Sequence, residues 1–179
     1  MRLGRFFLVT LGLFAIAPLA CEAINCTDNQ CVGGFEWHAE ADGDGALLPG
    51  TYAFEVTLDG TRVSVECSID EALGDSECDA PVVLEGDGGF FEVEVGLRGV
   101  EQGFQQPSDH VGRIVLTANQ PVDGGVRGPE AVHITGTRDD QPIVDESYEM
   151  TYERDESYHG DERCGFCDLT ETRSSELAG

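Results

Sequence analysis

The sequence predicts an all-β fold, an antiparallel β-sandwich of immunoglobulin-like general architecture with about seven to nine strands, stapled by disulfides. Three observations predict this fold class. Short runs of alternating apolar and polar residues recur along the chain, turn-forming Gly, Asp and Pro separate the runs, and no apolar helical period is sustained. Because alternation places every second side chain on one face of a strand, each run has an apolar face to bury.

The clearest run spans residues 51–69 and contains the pair Asp59-Gly60 at its centre. This pair favours a two-residue type I′ turn, in which both central residues need positive φ. The turn pairs Leu58 with Thr61 and fixes the register of the whole hairpin. One face of the hairpin then consists of Tyr52, Phe54, Val56, Leu58, Val63, Val65, Cys67 and Ile69. Because a two-stranded ribbon is only marginally stable alone in water, a second layer must cover this face.

The other predicted elements are likewise short strands separated by turn-forming residues. Turn residues 86–89 and 139–142 indicate two more hairpins, and residues 99–109 and 119–129 are predicted to be loops. The remaining strands are predicted at residues 35–41, 82–85, 90–98, 113–118, 131–138 and 143–153.

The start of the chain is typical of an exported protein. Arg2 and Arg5 precede the apolar run Phe6–Ala17 of 12 residues, which suits a signal peptide and is shorter than the roughly 20 residues of a membrane-spanning helix. The segment Pro18-Leu19-Ala20-Cys21 that follows resembles the lipobox of bacterial lipoproteins, although Pro18 and Leu19 depart from the pattern. The resemblance implies that Cys21 is lipidated and becomes the new N-terminus. The alternative is ordinary cleavage after Ala23, which would give a freely secreted protein.

As a whole, the chain is similar to small bacterial lipoproteins with an N-terminal cysteine pair, a PGTY segment (here Pro49–Tyr52) and a late CGxC (here Cys164–Cys167). This resemblance implies a lipid-anchored protein of the bacterial cell envelope and carries no activity with it. The length of 179 residues allows a single folded domain. We therefore expect a signal peptide at 1–20, a lipid-anchored tether at 21–34, one β-sandwich domain at 35–172 and a C-terminal tail at 173–179.

Seven cysteines are present, and either processing route removes Cys21 from the disulfide pool. In an exported chain, the six others indicate three disulfides. Cys67 ends a predicted strand and Cys78 follows a short acidic loop, so these two form the natural local pair. We expect the remaining four to cross-link the two ends of the mature chain, because long loops constrain the unfolded chain most. These four are Cys26, Cys31, Cys164 and Cys167.

Two other chemistries use the pair Cys164 and Cys167. A CxxC sequence resembles that of thiol oxidoreductases, but no βαβ pattern precedes it here. Zinc held by this pair and His159 has suitable ligand types, yet no second CxxC is present and an oxidising compartment favours disulfides. A structural disulfide is therefore the preferred interpretation.

The net charge is −25, and the chain contains no lysine. Such a surface repels nucleic acid and anionic lipid headgroups, so neither is an expected partner. The acid excess suits solubility outside the cell. The alternatives are cation capture or a basic protein partner.

Candidate ligand sites are few. Asp42-Gly43-Asp44-Gly45 resembles the opening of a calcium loop, but Ala46 and Ala53 stand where further carboxylates are needed, so Asp42 and Asp44 are weak metal candidates. An outward-facing aromatic set could bind carbohydrate, but Trp37 aligns with Phe35 and is predicted to lie in the core. The other members of that set are Tyr148, Tyr152 and Tyr158.

The four histidines are scattered, and no HExxH, GxSxG or P-loop motif occurs. The sequence therefore predicts a non-enzymatic cell-envelope lipoprotein without a cofactor. We expect a structural or protein-interaction module, held to the membrane through Cys21, with a possible protein partner at the cell surface. The alternative is an extracellular module that binds calcium or carbohydrate at the acidic, Gly-rich loops.

Overall fold

The computed structural model describes residues 33–41, 45–86, 89–100, 109–122, 125–155 and 166–177. These residues form two β-sheets that pack face to face, with no α-helix and one short 3-10 turn at Leu73–Asp75. The predicted all-β sandwich is confirmed. In the described ranges, no helix has the length and apolar character needed to cross a membrane.

The described part of the chain contains thirteen strands rather than about seven to nine. Four of them have only two to four residues, which is too short for a visible alternating pattern. The strands are β1 (Phe35–Ala41), β2 (Gly50–Leu58), β3 (Thr61–Ile69), β4 (Glu77–Cys78), β5 (Val82–Gly86), β6 (Gly89–Gly99), β7 (Val111–Val122), β8 (Gly125–Arg127), β9 (Ala131–Arg138), β10 (Gln141–Glu149), β11 (Glu153–Asp155), β12 (Phe166–Leu169) and β13 (Arg173–Leu177).

The larger sheet has the order β11-β12-β8-β7-β1-β13, and β6 joins it by pairing with β7 and with β5. The smaller sheet has the order β10-β9-β2-β3-β4. Most neighbours are antiparallel, as predicted, but β13 runs parallel to β1 and β12 runs parallel to β8. These two parallel pairs join strands that are far apart in the sequence.

The central hairpin has the predicted register. Leu58 pairs with Thr61 and Tyr52 pairs with Cys67. Asp59 and Gly60 have φ values of 47° and 85°, the left-handed conformations that a type I′ turn requires. All eight side chains predicted to share the apolar face are buried.

The core lies between the two sheets, and Trp37 is one of its largest fully buried side chains. Its side chain has no exposed surface, which confirms the predicted core position. Its ring meets that of Phe54 edge to face, with 5.4 Å between ring centroids and 75° between planes. Trp37 belongs to β1 and Phe54 to β2, so this contact joins the two sheets.

The second and third hairpins also form. In the second, Gly86 pairs with Gly89, so both strands extend one residue into the predicted turn 86–89. The third is tighter than predicted, because its turn consists of Asp139 and Asp140 alone, with φ values of 49° and 65°. Aspartate tolerates the left-handed region better than most residues, so a two-residue turn forms here without glycine and β10 begins at Gln141.

The predicted strand 113–118 and loop 119–129 were wrong in extent. β7 runs from Val111 to Val122, and β8 occupies Gly125–Arg127. The alternation of buried positions continues past Ala118 to Gln120, which is 9% exposed. A polar residue at a buried position hid this continuation in the sequence.

The predicted C-terminal tail 173–179 needs correction, because Arg173–Leu177 forms β13 alongside β1. Ser175 and Leu177 are buried. Ser175 is accommodated because its Oγ accepts a hydrogen bond of 2.9 Å from Nε1 of Trp37. The folded domain therefore extends to residue 177, beyond the predicted boundary at 172.

The disulfide predicted between Cys67 and Cys78 is present and joins register partners of β3 and β4. Cys167 is also disulfide-bonded. The predicted cross-link between the two ends of the chain stays a prediction. Its other members, together with the lipidation candidate, lie outside the described residues: Cys21, Cys26, Cys31 and Cys164.

Candidate functional site

The ligand sites predicted from sequence are not assembled in the described residues. Asp42, Asp44, Tyr158 and His159 lie outside those residues. Trp37 is fully buried, so it cannot belong to an outward-facing carbohydrate platform. Within the described ranges, no cluster of three or more His, Cys, Asp or Glu side chains is placed to hold a metal ion.

The outer face of the smaller sheet carries a groove of about 540 Å³. Its floor consists of small side chains that alternate outward along the three central strands β9, β2 and β3, and longer side chains stand around them. The small side chains therefore leave an open depression between the longer ones. The floor residues are Ala53, Ser64, Thr135 and Thr137. The carboxylates around them are Glu55, Glu66, Asp79 and Asp145. We term this surface, defined by these eight residues, the acidic groove.

The carboxylates of the acidic groove have few cationic neighbours. Arg62 lies 3.3 Å from Glu55, with the two side chains 66% and 46% exposed. His133 lies 2.9 Å from Asp145, with the two side chains 46% and 79% exposed. Pairs this exposed contribute little to stability, and they leave the groove negative at neutral pH whether or not His133 is protonated. An incoming cation therefore finds carboxylates that are accessible and only partly neutralised.

Asp79 is fixed at the rim of the groove by the disulfide that precedes it. The bond between Cys67 and Cys78 holds the chain next to β3. The backbone N–H of Asp79 then donates to the carbonyl of Glu66 at 2.9 Å, and the N–H of Glu66 donates to Oδ2 of Asp79 at 2.8 Å. This reciprocal pair orders Asp79 beside Glu66 before any partner arrives.

On the outer face of the larger sheet, by contrast, one group of charged side chains forms ion pairs within itself. His38 is only 13% exposed and lies between Glu36, at 2.7 Å, and Glu40, at 3.4 Å. Arg113 approaches Glu40 to 3.9 Å. A smaller depression of about 380 Å³ lies beside these groups, over Gly96. We term this surface, formed by Glu36, His38, Glu40 and Arg113, the ion-paired face.

A third polar cluster closes the side of the sandwich where β10 meets β13. Oγ of Ser175 donates to Oε2 of Glu146 at 2.6 Å, and the hydroxyl of Tyr148 donates to the same oxygen. Burial, and then the hydrogen bond to Glu146, raise the pKa of Tyr148 above its ordinary value. With Trp37 donating to Ser175, each member has a partner. A satisfied network of this kind stabilises the packing of the two sheets and leaves no group free for catalysis.

Sequence reasoning did not predict a site at the acidic groove, although the hairpin register determines which way part of its lining faces. The predicted hairpin register already placed Glu55, Ser64 and Glu66 on one outward face. Asp145 was missed because nothing in the sequence shows that β9 pairs with β2 and brings β10 to the same face. Asp79 was missed because its position depends on the disulfide geometry at Cys78.

Comparisons with models of protein families, with curated proteins and with solved structures gave no match to this chain. Function is therefore inferred from the geometry and charge of the two outer faces.

Proposed function

We propose that this chain is an exported, lipid-anchored, non-enzymatic module of the bacterial cell envelope that binds a cationic protein segment in the acidic groove. The observation that carries the proposal is the uneven pairing of charge between the ion-paired face and the acidic groove. On the ion-paired face, two carboxylates flank the largely buried His38, and Arg113 lies 3.9 Å from Glu40. The acidic groove presents four carboxylates to one arginine and one exposed histidine.

The shape of the acidic groove supports a peptide rather than a compact ion. The groove follows three strands, and its floor offers the hydroxyls of Ser64, Thr135 and Thr137. These hydroxyls can donate and accept hydrogen bonds with a peptide backbone. Carboxylates on the rim can then pair with arginine guanidinium groups, which favour planar two-point contacts.

Charge-based binding of this kind depends on ionic strength. At about 0.15 M salt, the Debye length is roughly 8 Å, so contacts at the rim persist while longer-range attraction is screened. Affinity should therefore fall as salt rises, mainly through a slower association rate.

The binding test uses fluorescence anisotropy with a labelled peptide of arginine, glycine and serine that contains no apolar residue. The groove variant is Glu55→Gln/Glu66→Gln/Asp145→Asn. The matched control is Asp70→Asn/Glu71→Gln/Asp75→Asn, which removes the same charge from exposed positions beyond β3. The groove variant should bind at least tenfold more weakly, and the control should change affinity less than twofold. Equal losses in the two variants would show that only total charge matters and would contradict the groove.

The anchor has its own test. The chain is expressed with its own N-terminus in a bacterium, and the intact mass of the membrane-associated protein is compared with that of Cys21→Ser. The proposal predicts a diacylglyceryl mass increment and membrane association that the variant loses. A soluble product beginning after Ala23, with no added mass, would support free secretion instead.

A further inference from the structure

Strand β5, at the side of the larger sheet, has one unpaired edge in the described structure. It pairs with β6, and no other described strand is hydrogen-bonded to it. Every second residue of an edge strand leaves its N–H and C=O groups pointing away from the sheet. Natural edge strands are often protected by lysine, proline or several charges. β5 has the sequence VVLEG, in which Glu85 is the only charged residue.

On the outer surface beside this edge, apolar side chains alternate with acidic ones. Val83 is 62% exposed and Phe90 is 40% exposed, which makes them two of the four large apolar side chains most exposed in the described residues. Val83 pairs with Glu92, and Glu85 pairs with Phe90. Apolar and carboxylate side chains therefore alternate both along β5 and across to β6.

We propose that the free edge of β5 accepts an extended segment of another protein as an added strand, with apolar and basic side chains alternating on its outer face. The added backbone would pair with the exposed groups of β5. Its outward side chains would lie next to Val83 and Glu85, so an apolar residue fits the first position and a basic residue fits the second.

Charge complementarity selects this occupant over a second copy of the chain. Glu85, Glu92 and Glu94 all lie on the outer face beside the edge, and the whole chain carries a net charge of −25. Two copies meeting here would bring like charges together, whereas a basic segment neutralises them. The surface is separate from the acidic groove, which lies on the other sheet.

The test measures anisotropy with three labelled peptides on the full chain. The first alternates valine and arginine, the second has the same composition in two blocks, and the third alternates valine and glutamate. The alternating basic peptide should bind at least tenfold more tightly than either of the others. If the peptide with valine and arginine in two blocks binds equally tightly, the contact is a non-specific electrostatic attraction and the inference is wrong.

The matched variants are Val83→Lys and Leu48→Lys. Each adds one positive charge at an exposed apolar position, since Leu48 is 44% exposed, and only the first lies on the edge strand. Val83→Lys should weaken binding of the alternating basic peptide at least tenfold, and Leu48→Lys less than twofold. If Val83→Lys binds as tightly as the unaltered chain, the inference is wrong.

Amide hydrogen exchange on the unaltered chain gives a readout that needs no variant. Bound peptide should slow the exchange of alternate β5 amides at least tenfold. Unchanged exchange in β5, or dimerisation of the chain through this edge, would contradict an added peptide strand. The groove variant Glu55→Gln/Glu66→Gln/Asp145→Asn should keep β5 binding within twofold. If it instead abolishes binding while β5 exchange stays unchanged, the peptide occupies the groove, which supports the proposed function and overturns this inference.

Discussion

The outer faces of the two sheets are built from the same alternation of side chains. The acidic groove on one and the ion-paired face on the other differ in how far their carboxylates are neutralised by nearby cations. On the larger sheet, His38 lies between Glu36 and Glu40, and the guanidinium of Arg113 lies near Glu40. On the smaller sheet, small floor residues open a groove, and its carboxylates outnumber the cations near them. An acidic composition could have meant a uniform, solubilising coat. The distribution of charge shows instead that the charges of the ion-paired face are paired with one another, whereas the acidic groove leaves carboxylates available to a partner.

The largest expected effect comes from the disulfide that fixes the rim of the acidic groove. In Cys67→Ala/Cys78→Ala, the loop between the two cysteines, with a sequence separation of 11, is no longer constrained in the unfolded chain. We expect the free energy of unfolding to fall by about 3 kcal/mol. Urea denaturation measures this change.

The same variant distinguishes the two faces locally. The amide of Glu66, which donates to Asp79, should exchange faster than the global loss of stability explains. Amides that join β1 to β7 should follow the global change alone. A loss of stability below about 1 kcal/mol, or equal acceleration on both sheets, would contradict the role of the disulfide in ordering the groove.

Glycine substitutions test how tightly side chains of neighbouring strands pack on the buried face of the smaller sheet. A Cβ atom at Gly136 would lie 2.6 Å from Cδ1 of Phe54 and 2.7 Å from Cγ1 of Val144. Gly136→Ala should therefore lower the free energy of unfolding by about 1–3 kcal/mol through overpacking. A Cβ atom at Gly96, on the larger sheet, meets nothing within 4 Å. Gly96→Ala is the control and should change stability by less than about 0.5 kcal/mol, since surface substitutions of this kind rarely exceed it.

Two histidine–carboxylate pairs compare the two faces directly, and the expected changes in the free energy of unfolding are smaller. His38 is 13% exposed and lies 2.7 Å from Glu36, whereas His133 is 46% exposed and lies 2.9 Å from Asp145. His38→Gln should cost about 1 kcal/mol because it disturbs a partly buried hydrogen bond. His133→Gln should cost less than about 0.5 kcal/mol, as exposed pairs do. Thermal or urea unfolding at pH 7 measures both, and a larger cost at His133 would reverse the proposed contrast.

The smallest effect appears only at alkaline pH. Burial raises the pKa of Tyr148, and so does its hydrogen bond to Glu146. The pKa of Tyr152 is raised further, first by burial and then by the charges of Asp59 and Asp168. A tyrosine whose pKa is higher in the folded state contributes stability that is fully present below about pH 10, the unfolded value, and is lost as the pH rises above it.

Urea unfolding at a series of pH values from 9 to 11.5 checks this prediction. Stability should decline above pH 10, and Tyr152→Phe should make the decline shallower. A flat profile across this range in the unaltered chain would show that these hydroxyls ionise equally in the folded and unfolded states.

Local features of the fold could be predicted from the sequence because local physics determines them. The pair Asp59-Gly60 selects a turn type, and the two-residue period then fixes every partner in the hairpin. Strand β1 has the predicted bounds for the same reason, since Trp37 alternates cleanly with polar neighbours. The disulfide between Cys67 and Cys78 follows from the end of one strand and a short loop.

Long-range features could not be predicted in this way. Strand β13 looks like a polar tail because Ser175 is acceptable in the core only when Trp37 donates a hydrogen bond to it. Glu146 reads as a surface residue, yet it accepts hydrogen bonds at the β10–β13 side. The acidic groove likewise depends on β9 pairing with β2, a contact between strands more than seventy residues apart in sequence. Such pairings are decided by packing across the sandwich, which leaves no local signature.

We propose that the acidic groove, and not the ion-paired face, receives a cationic partner. Chemical-shift mapping by nuclear magnetic resonance, with the arginine, glycine and serine peptide, tests it most directly. We expect saturable shifts of the backbone amides of Glu55, Ser64 and Thr135, with those of His38 and Val115 unmoved. Shifts of equal size on both faces, or shifts centred on His38, would contradict it.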